Sequence, residues 1–343
     1  MGSSSSPESS GWDLPPARQL SAIAMSEREP EQIEIDPQLR VACEVVAPAE
    51  RHNQEQSEYC TTGITRVYSP PYWSFGNISI MKSRRHGAFI EGLMDAGMDP
   101  ALIVPHLTWG GKDEEDLKTR LELYKAVGID QVIVSPPDNQ RREGYRTFGH
   151  KDPLSALPLM RLVKEAGHLG LGLAVYAEGH PLSKSKDSVD DEFERVEDEL
   201  RLADFIITKP VFRTSPVTRL VKLLRQANIT APVTPGIMAF KDPAITDELA
   251  KQYNAKFYTN TLKNMIRNAE ARARKKSRKS TPEERILANA SALNNVGEQF
   301  TAQLGHKLVT AVGNNRLHLY TGNHTRTTIR TLEQLGVTDG GTF

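Results

Sequence analysis

The sequence has little cysteine, no long apolar run and no excess charge of either sign. Only two of its 343 residues are cysteines, too few for a disulfide framework, which predicts a reducing compartment. The 43 basic and 43 acidic residues cancel, so charge gives no reason to expect nucleic acid or an anionic membrane as a partner. No apolar stretch approaches the roughly 18 residues that a membrane-spanning helix needs. These absences favour a cytoplasmic protein.

Several motifs that mark common catalytic and cofactor sites are also missing. No GxGxxG follows the first predicted strand and no GxxxxGK[ST] occurs, so neither a Rossmann nor a P-loop nucleotide site is indicated. GxSxG is absent, which gives serine hydrolase chemistry no support. No HExxH or paired-cysteine spacing is present and the histidines are isolated in the sequence, so we expect no metal site.

The chain is predicted to consist of a leader and one large domain. Residues 1–38 begin with a stretch rich in serine and proline and lack the apolar core of a secretory signal, so we expect a disordered leader. Glu8 and Asp13 argue against a transit peptide. Residues 39–343 are expected to form a single catalytic domain. The basic run at 271–285 is interpreted as a solvated helix end and linker rather than a polyanion-binding patch.

From about residue 40 the sequence alternates between predicted strands and helices. The strands are almost continuous apolar runs, which is typical of parallel strands buried on both faces. They lie near 40–47, 76–81, 101–108, 131–136, 170–177, 205–211, 232–237 and 315–321. Helices are predicted near 83–97, 113–127, 154–168, 189–203, 215–227, 243–254, 260–277, 283–312 and 325–336. This order predicts a (β/α)8 TIM barrel with two extra helices before the last strand.

Two acidic residues, one within a predicted strand and one just after another, are candidates for chemistry. Glu44 lies in the otherwise apolar run CEVV, where burial should raise the pKa of its carboxyl group and make it a general acid. The alternative for Glu44 is an ion pair with a basic residue of a neighbouring strand. Asp138 follows two stiffening prolines and could accept paired hydrogen bonds from the edge of an amidine-like heterocycle. The alternative for Asp138 is an Asx turn or a helix cap.

Histidine and lysine side chains also follow predicted strands. His106 and His180 are better suited to hydrogen bonding with a bound organic group than to a metal, because no coherent ligand set accompanies them. Lys209 could be a Schiff-base nucleophile if desolvation lowered its pKa. A lysine paired with a carboxylate at the rim of the barrel is the favoured interpretation of Lys209.

Seven short phrases occur in a fixed order and resemble those of the methylenetetrahydrofolate reductase family from about residue 40 to residue 337. They are ACEVVAPAE (42–50), VPHLTW (104–109), VIVSPPDN (132–139), AVYAEGHP (174–181), IITKPVF (206–212), TPGIM (234–238) and LHLYTGN (317–323). A single phrase is weak evidence, but seven in order are specific. The resemblance implies interconversion of 5,10-methylene- and 5-methyltetrahydrofolate, with NAD(P)H passing hydride through FAD. It implies tetrahydrofolate derivatives and a nicotinamide nucleotide as partners, and a homo-oligomer is compatible with it.

The resemblance also assigns roles to individual residues. Glu44 and Asp138 become the catalytic pair, Glu44 as the acid and Asp138 as the carboxylate that binds the pterin and tunes the flavin. The implied substrate-binding residues are Asp138, Lys209, Phe240 and His324. The implied flavin-contacting residues are His106, Thr108, Ser155, Ala156, Tyr176, His180 and Arg195.

Two departures from the family pattern put the cofactor in question. Lys209 stands where the family has a glutamine that contacts folate and nicotinamide, and the stretch 190–201 is acidic where the family has basic residues near the flavin pyrophosphate. FAD stays the favoured cofactor because the phrases around His106, Tyr176 and His180 persist. The alternatives are a flavin-independent or oxidative-direction folate enzyme that serves tetrahydrofolate-dependent demethylation, a non-redox folate-binding barrel, and a Schiff-base lyase that uses Lys209.

Overall fold

The structure is a computed structural model that describes residues 39–46, 60–61, 64–65, 68–76, 83–108, 114–136, 155–167, 170–181, 189–240 and 242–337. The predicted leader and Asp138 lie outside these residues. Among the described residues, no helix has both the length and the apolar content to cross a membrane.

Parallel strands form the centre of the domain. They are β1 (Arg40–Val46), β2 (Trp73–Gly76), β3 (Ile103–Thr108), β4 (Gln131–Ser135), β5 (Gly170–Val175), β6 (Phe205–Thr208), β7 (Val233–Thr234), β8 (Gly236–Met238) and β9 (Arg316–Tyr320). Each strand pairs in parallel with its neighbours in the order β7-β6-β5-β4-β3-β2-β1-β9-β8. The two ends of this order, β7 and β8, are separated along the chain by Pro235 alone. They therefore act as two halves of one barrel strand.

Pro235 marks the point where the closing strand changes partners. Before it, the carbonyl of Pro232 accepts a hydrogen bond from the backbone N–H of Ile206 in β6, at 2.9 Å. The carbonyl of Pro235 itself accepts from the N–H of His318 in β9, also at 2.9 Å. A proline can accept but not donate, which suits a residue at a break in the ladder. The eight-stranded TIM barrel predicted from the sequence is therefore confirmed.

The helices surround the barrel and agree closely with the sequence prediction. They are α1 (Ser83–Asp95), α2 (Glu114–Ala126), α3 (Leu157–Glu165), α4 (Val189–Arg195), α5 (Glu197–Leu202), α6 (Ser215–Gln226), α7 (Pro243–Gln252), α8 (Asn260–Lys276), α9 (Pro282–Val312) and α10 (Thr325–Leu335). The two extra helices before the last strand are α8 and α9. The predicted helix at 189–203 is instead two short helices, because Val196 leaves helical geometry at φ −111° and ψ 15°.

The longest helix, α9, has strong signals at both ends. Thr281 accepts a hydrogen bond from the N–H of Glu284, and the Glu284 carboxylate accepts one from the N–H of Thr281, which forms a capping box. At the other end Gly313 adopts a left-handed conformation with φ 77°, which costs glycine little. The long helix therefore begins and ends where its sequence dictates.

The second strand begins earlier than the sequence predicted. It was predicted at 76–81, but β2 spans Trp73–Gly76, while residues 77–82 lie outside the described part of the chain. Trp73 and Phe75 point into the apolar layer between strands and helices, and Ser74 pairs with Glu44 of β1. Trp73 and Phe75 therefore belong to the strand ahead of the predicted start, and the predicted strand at 77–81 stays a prediction.

Alternation along each strand divides the core into two regions. One set of side chains points outward and packs under the helices, as Val41, Cys43 and Val45 do in β1. The other set points into the barrel, where Val104, Ile133, Ala174 and Ile207 form a separate apolar cluster. Glu44 has the inward parity because it alternates with Cys43 and Val45. The barrel interior therefore combines an apolar layer with polar side chains.

Candidate active site

Three buried polar side chains converge inside the barrel. Oε2 of Glu44 in β1 is 3.1 Å from Nε2 of His318 in β9 and 3.4 Å from Nε2 of His106 in β3. The two imidazole rings are stacked, with centroids 6.2 Å apart and planes 27° from parallel. Each of the three residues is less than a tenth exposed. Two imidazoles thus face one oxygen of a buried carboxylate.

Neighbouring hydroxyl groups orient the His318 ring. The hydroxyl of Tyr72 lies 3.2 Å from Nδ1, and Oγ of Ser74 lies 3.3 Å from Nε2. An ionised carboxylate only accepts hydrogen bonds, so Nε2 of His318 carries the proton that it shares with Glu44. The Tyr72 hydroxyl can donate to a neutral ring or accept from a protonated one. Both nitrogens of the His318 ring therefore have a hydroxyl group within hydrogen-bond distance.

The electrostatics of Glu44 differ from the sequence expectation. Burial raises the pKa of its carboxyl group, but the charge of His106, the hydrogen bond and charge of His318, and the charge of Lys209 together lower it below its ordinary value. The predicted increase in the pKa of Glu44 is therefore wrong. Burial acts as predicted, but the positive charge of His106, His318 and Lys209 and the hydrogen bond from His318 outweigh it. Glu44 is consequently ionised in the free protein, with two imidazoles beside one of its oxygens.

Lys209 lies directly after β6 and points toward the same interior. Its Nζ atom is 3.5 Å from Oγ of Ser135, 5.7 Å from the ring centre of Tyr176 and 6.0 Å from that of Tyr253. The residue is 7% exposed. Its charge contributes to the low pKa of Glu44, so the two groups interact electrostatically across the barrel. Lys209 is thus a buried cation held against two aromatic faces.

The residues predicted to contact flavin divide into two groups. His106 belongs to the Glu44 cluster, and Thr108 ends β3 opposite Ser135. Tyr176 is buried beside Lys209 and makes an edge-to-face contact with His180, at 4.5 Å between ring centres. The second group, which includes Ser155 and Arg195, is bonded to carboxylates of α4 and α5.

Around α4 and α5 the predicted flavin contacts are bonded to buried carboxylates. Arg195 donates to both oxygens of Glu192, at 3.0 and 2.8 Å. The backbone N–H of His180 also donates to Glu192, at 3.2 Å. Oγ of Ser155 donates to Oε1 of Glu199 at 2.6 Å, and Ala156, the next residue, is buried at the start of α3. The Arg195 side chain, the Ser155 hydroxyl and the backbone N–H of His180 therefore already have carboxylate partners within the protein.

The structure gives less support to the other residues that were predicted to bind folate. Phe240 is buried between Phe257 and Phe300, with ring centres 5.2 and 6.2 Å away, so a ligand could stack on it only after one of these rings moved. His324 is half-buried immediately before α10. Asp138 lies outside the described residues. The folate-binding roles of Phe240, His324 and Asp138 stay predictions.

Sequence reasoning missed His318, the residue closest to Glu44. A signal was available, because His318 interrupts the apolar run of its strand as Glu44 interrupts its own, and both have the inward parity. Thr321, just after β9, adds a second link, since its hydroxyl donates to the carbonyl of Glu44 at 2.7 Å. Ser74 and Tyr72 carried no comparable signal, because the second strand was predicted to begin only at residue 76.

The Glu44 cluster also has the residue types of a three-ligand metal site. One carboxylate oxygen and two imidazole nitrogens lie within 4.8 Å of one another. The sequence argument that the histidines are isolated does not hold in space, although the absence of a metal stays a prediction. Of the two imidazoles, that of His318 is hydrogen-bonded to Glu44, and that of His106 lies within ion-pair distance of it.

Comparison with known proteins connects this geometry to a family. The family model described as methylenetetrahydrofolate reductase matches residues 101–336. Methylenetetrahydrofolate reductase (NADH) 1 of Zea mays is 25% identical over 248 residues, which cover 68% of this chain and 37% of the maize protein. The probable methylenetetrahydrofolate reductase (NADPH) of Caenorhabditis elegans is 24% identical over 181 residues, which cover 50% of this chain and 26% of the worm protein. The matched region is thus well under half the length of these relatives. Since the family model covers more than half of the chain, and the resemblance of its seven phrases points the same way, the chain belongs to the methylenetetrahydrofolate reductase family.

Proposed function

We propose that this protein interconverts 5,10-methylenetetrahydrofolate and 5-methyltetrahydrofolate, with a nicotinamide nucleotide as the source or acceptor of hydride. The observation that carries the proposal is the buried Glu44 carboxylate with two imidazoles on one of its oxygens. This cluster lies inside a TIM barrel of the family, at the position that the resemblance gives to the catalytic acid. Reduction of a methylene bridge needs such a group, because the bridge opens only when N10 of the folate is protonated.

The cluster suits two needs of the reaction, which are delivery of a proton and stabilisation of a cation. Opening of the bridge consumes one proton and leaves a 5-iminium cation. Glu44 would pass this proton to N10, with the two imidazoles beside its carboxylate as the groups that resupply it. Once the proton has left, the ionised Glu44 is an anion close to the iminium and stabilises it. The low pKa of Glu44 favours this second role.

Substrate binding would use residues on other strands. Lys209 is placed to contact a folate or a nicotinamide group that enters the barrel, since its ammonium group lies between two aromatic faces and Ser135. Asp138 would bind the pterin, and Phe240 and His324 would contact other parts of the folate. The names of the relatives differ in nucleotide, NADH in maize and NADPH in the worm, so both nucleotides belong in the assay.

The resemblance implies FAD as a hydride carrier, but the described residues do not fit its diphosphate group. Arg195, the one cation among the implied flavin contacts, is held by both oxygens of Glu192. Ser155 is bound to Glu199, a second buried carboxylate. A diphosphate beside these carboxylates would meet like charge in a poorly solvated place, which is unfavourable. We therefore assign no step of the reaction to flavin.

A steady-state assay in both directions tests the proposed function. Purified protein is supplied with 5,10-methylenetetrahydrofolate and NADH or NADPH, and separately with 5-methyltetrahydrofolate and the oxidised nucleotides, each with and without added FAD. Formation of the other folate, identified by mass spectrometry, supports the proposal. If neither folate is converted under any of these conditions, the proposal fails, and folate binding without turnover would favour a non-redox folate-binding barrel. Turnover in the oxidative direction alone would favour an enzyme of folate-dependent demethylation.

A further inference from the structure

The helix pair α4–α5 carries an unusual concentration of negative charge next to the implied cofactor contacts. Residues 189–202 contain seven carboxylates and two guanidinium groups, those of Arg195 and Arg201. Both helices have only acidic charge in their first turns. Arg201 is bonded to Glu197 on the same helix, and Arg195 is bonded to Glu192. The two cations of this pair are therefore both neutralised within it.

The two buried carboxylates of this helix pair connect it to neighbouring segments of the fold. Glu192 is 5% exposed and joins α4 to the turn after β5, because it accepts from the backbone N–H of His180 as well as from Arg195. Glu199 is 2% exposed and joins α5 to the residue before α3 through Ser155. Rotating either carboxylate away to admit an anion would break these hydrogen bonds and leave a buried charge without compensation.

From this disagreement between the implied cofactor and the residues present, we infer that the protein transfers hydride directly between the nicotinamide ring and the one-carbon unit of the folate, without FAD as a carrier. The inference rests on the proposed function and specifies its route. In the reductive direction, one proton goes to N10 and the C–N10 bond breaks. The hydride of the dihydronicotinamide C4–H bond then forms the new C–H bond of the methyl group. One NAD(P)H is oxidised, one methylene group is reduced, and no further redox partner is needed.

Direct transfer also constrains where the nucleotide can bind. NAD(P)H has a diphosphate of its own, and the charge on α4 and α5 disfavours it for the same reason that it disfavours FAD. The nicotinamide must nevertheless come within contact distance of a pterin held near Glu44. Lys209, buried at the barrel mouth and electrostatically linked to Glu44, stands where the family has the glutamine that contacts both folate and nicotinamide. It is the residue best placed to orient the two reactants.

Two measurements on the purified protein test this inference. The first is FAD binding, by the absorbance spectrum as purified and by calorimetric titration with FAD. The second is isotope transfer, in which nucleotide deuterated at either face of C4 is supplied with 5,10-methylenetetrahydrofolate in ordinary water. Direct transfer predicts no saturable FAD binding and a methyl group that retains one deuterium from one of the two labelled nucleotides. Initial-rate patterns should intersect, as they do when both substrates are bound together.

The opposite results overturn the inference. Stoichiometric flavin in the purified protein, or saturable FAD binding, would contradict it even in the absence of turnover. A methyl group that carries solvent hydrogen would also contradict it, because the N5–H of a reduced flavin exchanges with water before hydride transfer. Parallel, ping-pong rate patterns would have the same meaning. In these cases the proposed function stands and only the route is wrong, whereas a lack of turnover both with and without FAD overturns function and route together.

Discussion

Glu44 in the first barrel strand and His318 in the last share a hydrogen bond of 3.1 Å, although 274 positions separate them in the sequence. The bond crosses the junction at which β1 pairs with β9, where Glu44 lies in register with Tyr320. The chemistry of the candidate site is therefore built on the junction that brings the two ends of the barrel together.

Replacing Glu44 with glutamine is expected to reduce kcat for folate interconversion by about 10²-fold or more, the usual contribution of a positioned acid or base. Glutamine keeps the size of the side chain but can neither pass a proton nor stabilise an iminium cation. Steady-state rates in both directions measure the effect. Glu91→Gln, on the exposed face of α1, is the matched control and should have no effect. A Glu44→Gln enzyme with a rate near that of the wild type would refute the assignment.

Replacing His318 with glutamine is expected to move the pH profile of kcat/KM to higher pH on its acidic side. His318 lowers the pKa of Glu44 through a hydrogen bond and through charge, so its removal lets burial raise that pKa. The acidic limb of the profile reports this group in the free enzyme. Tyr72→Phe keeps the imidazole and should shift the limb less. An unchanged acidic limb in the His318→Gln enzyme would show that the profile does not report Glu44.

Lys209 offers a second test of the same electrostatics with a charge-conserving control. Lys209→Gln removes a positive charge that lowers the pKa of Glu44, so the acidic limb should again move to higher pH. Lys209→Arg keeps the charge and should keep the limb near its wild-type position. If both variants shift the limb equally, the geometry of the lysine rather than its charge is responsible.

The low pKa of Glu44 also predicts how the stability of the fold depends on pH. A group whose pKa is lower in the folded than in the unfolded state stabilises the fold at a pH above its unfolded pKa, which is 4.5 for a glutamate. That stabilisation is lost as the pH falls through the pKa of the folded state. The unfolding free energy of the wild type should therefore fall relative to that of Glu44→Gln as the pH drops below about 4.5. Urea unfolding between neutral and acidic pH measures it. A pH-independent difference would mean that Glu44 titrates alike in both states.

Packing of α9 on the barrel rim predicts a contrast between two glycines. A Cβ atom at Gly297 would lie 2.0 Å from the backbone oxygen of Phe240, which cannot move aside cheaply. Gly297→Ala should therefore destabilise the protein by about 1–3 kcal/mol or more. A Cβ at Gly92 in α1 would meet nothing within 4 Å, so Gly92→Ala should stabilise the protein by up to about 1 kcal/mol through helix propensity. Thermal unfolding of both variants checks the contrast, and equal effects would contradict it.

Much of the fold and part of the site could be predicted from sequence. The barrel followed from apolar runs alternating with helical periods, and these patterns are local. Glu44 and His106 were found because each interrupts an apolar strand with a group that is costly to bury. The direction of the pKa shift of Glu44 could not be predicted in this way, because it depends on charges that only the closed barrel brings close.

The predicted cofactor contacts also show what the sequence alone cannot predict. The acidic character of residues 190–201 was visible in the sequence, but its consequence depended on which carboxylates are buried. Only the structure shows that Glu192 bonds to Arg195 and Glu199 to Ser155, so that implied flavin contacts are engaged by the protein itself. Local charge could be counted from the sequence, whereas its pairing could not.

The union of first and last strands has a consequence for biosynthesis. Chains emerge from the ribosome with the N-terminal part first, so β1 is available long before β9. Until residues 316–320 have been synthesised and docked, Glu44 has neither His318 nor Thr321 beside it, and its carboxylate remains open to water. If the proposed function holds, a nascent chain can therefore assemble most of its helices and strands before it can act on folate, and activity would appear in one late step, when the last strand closes the barrel.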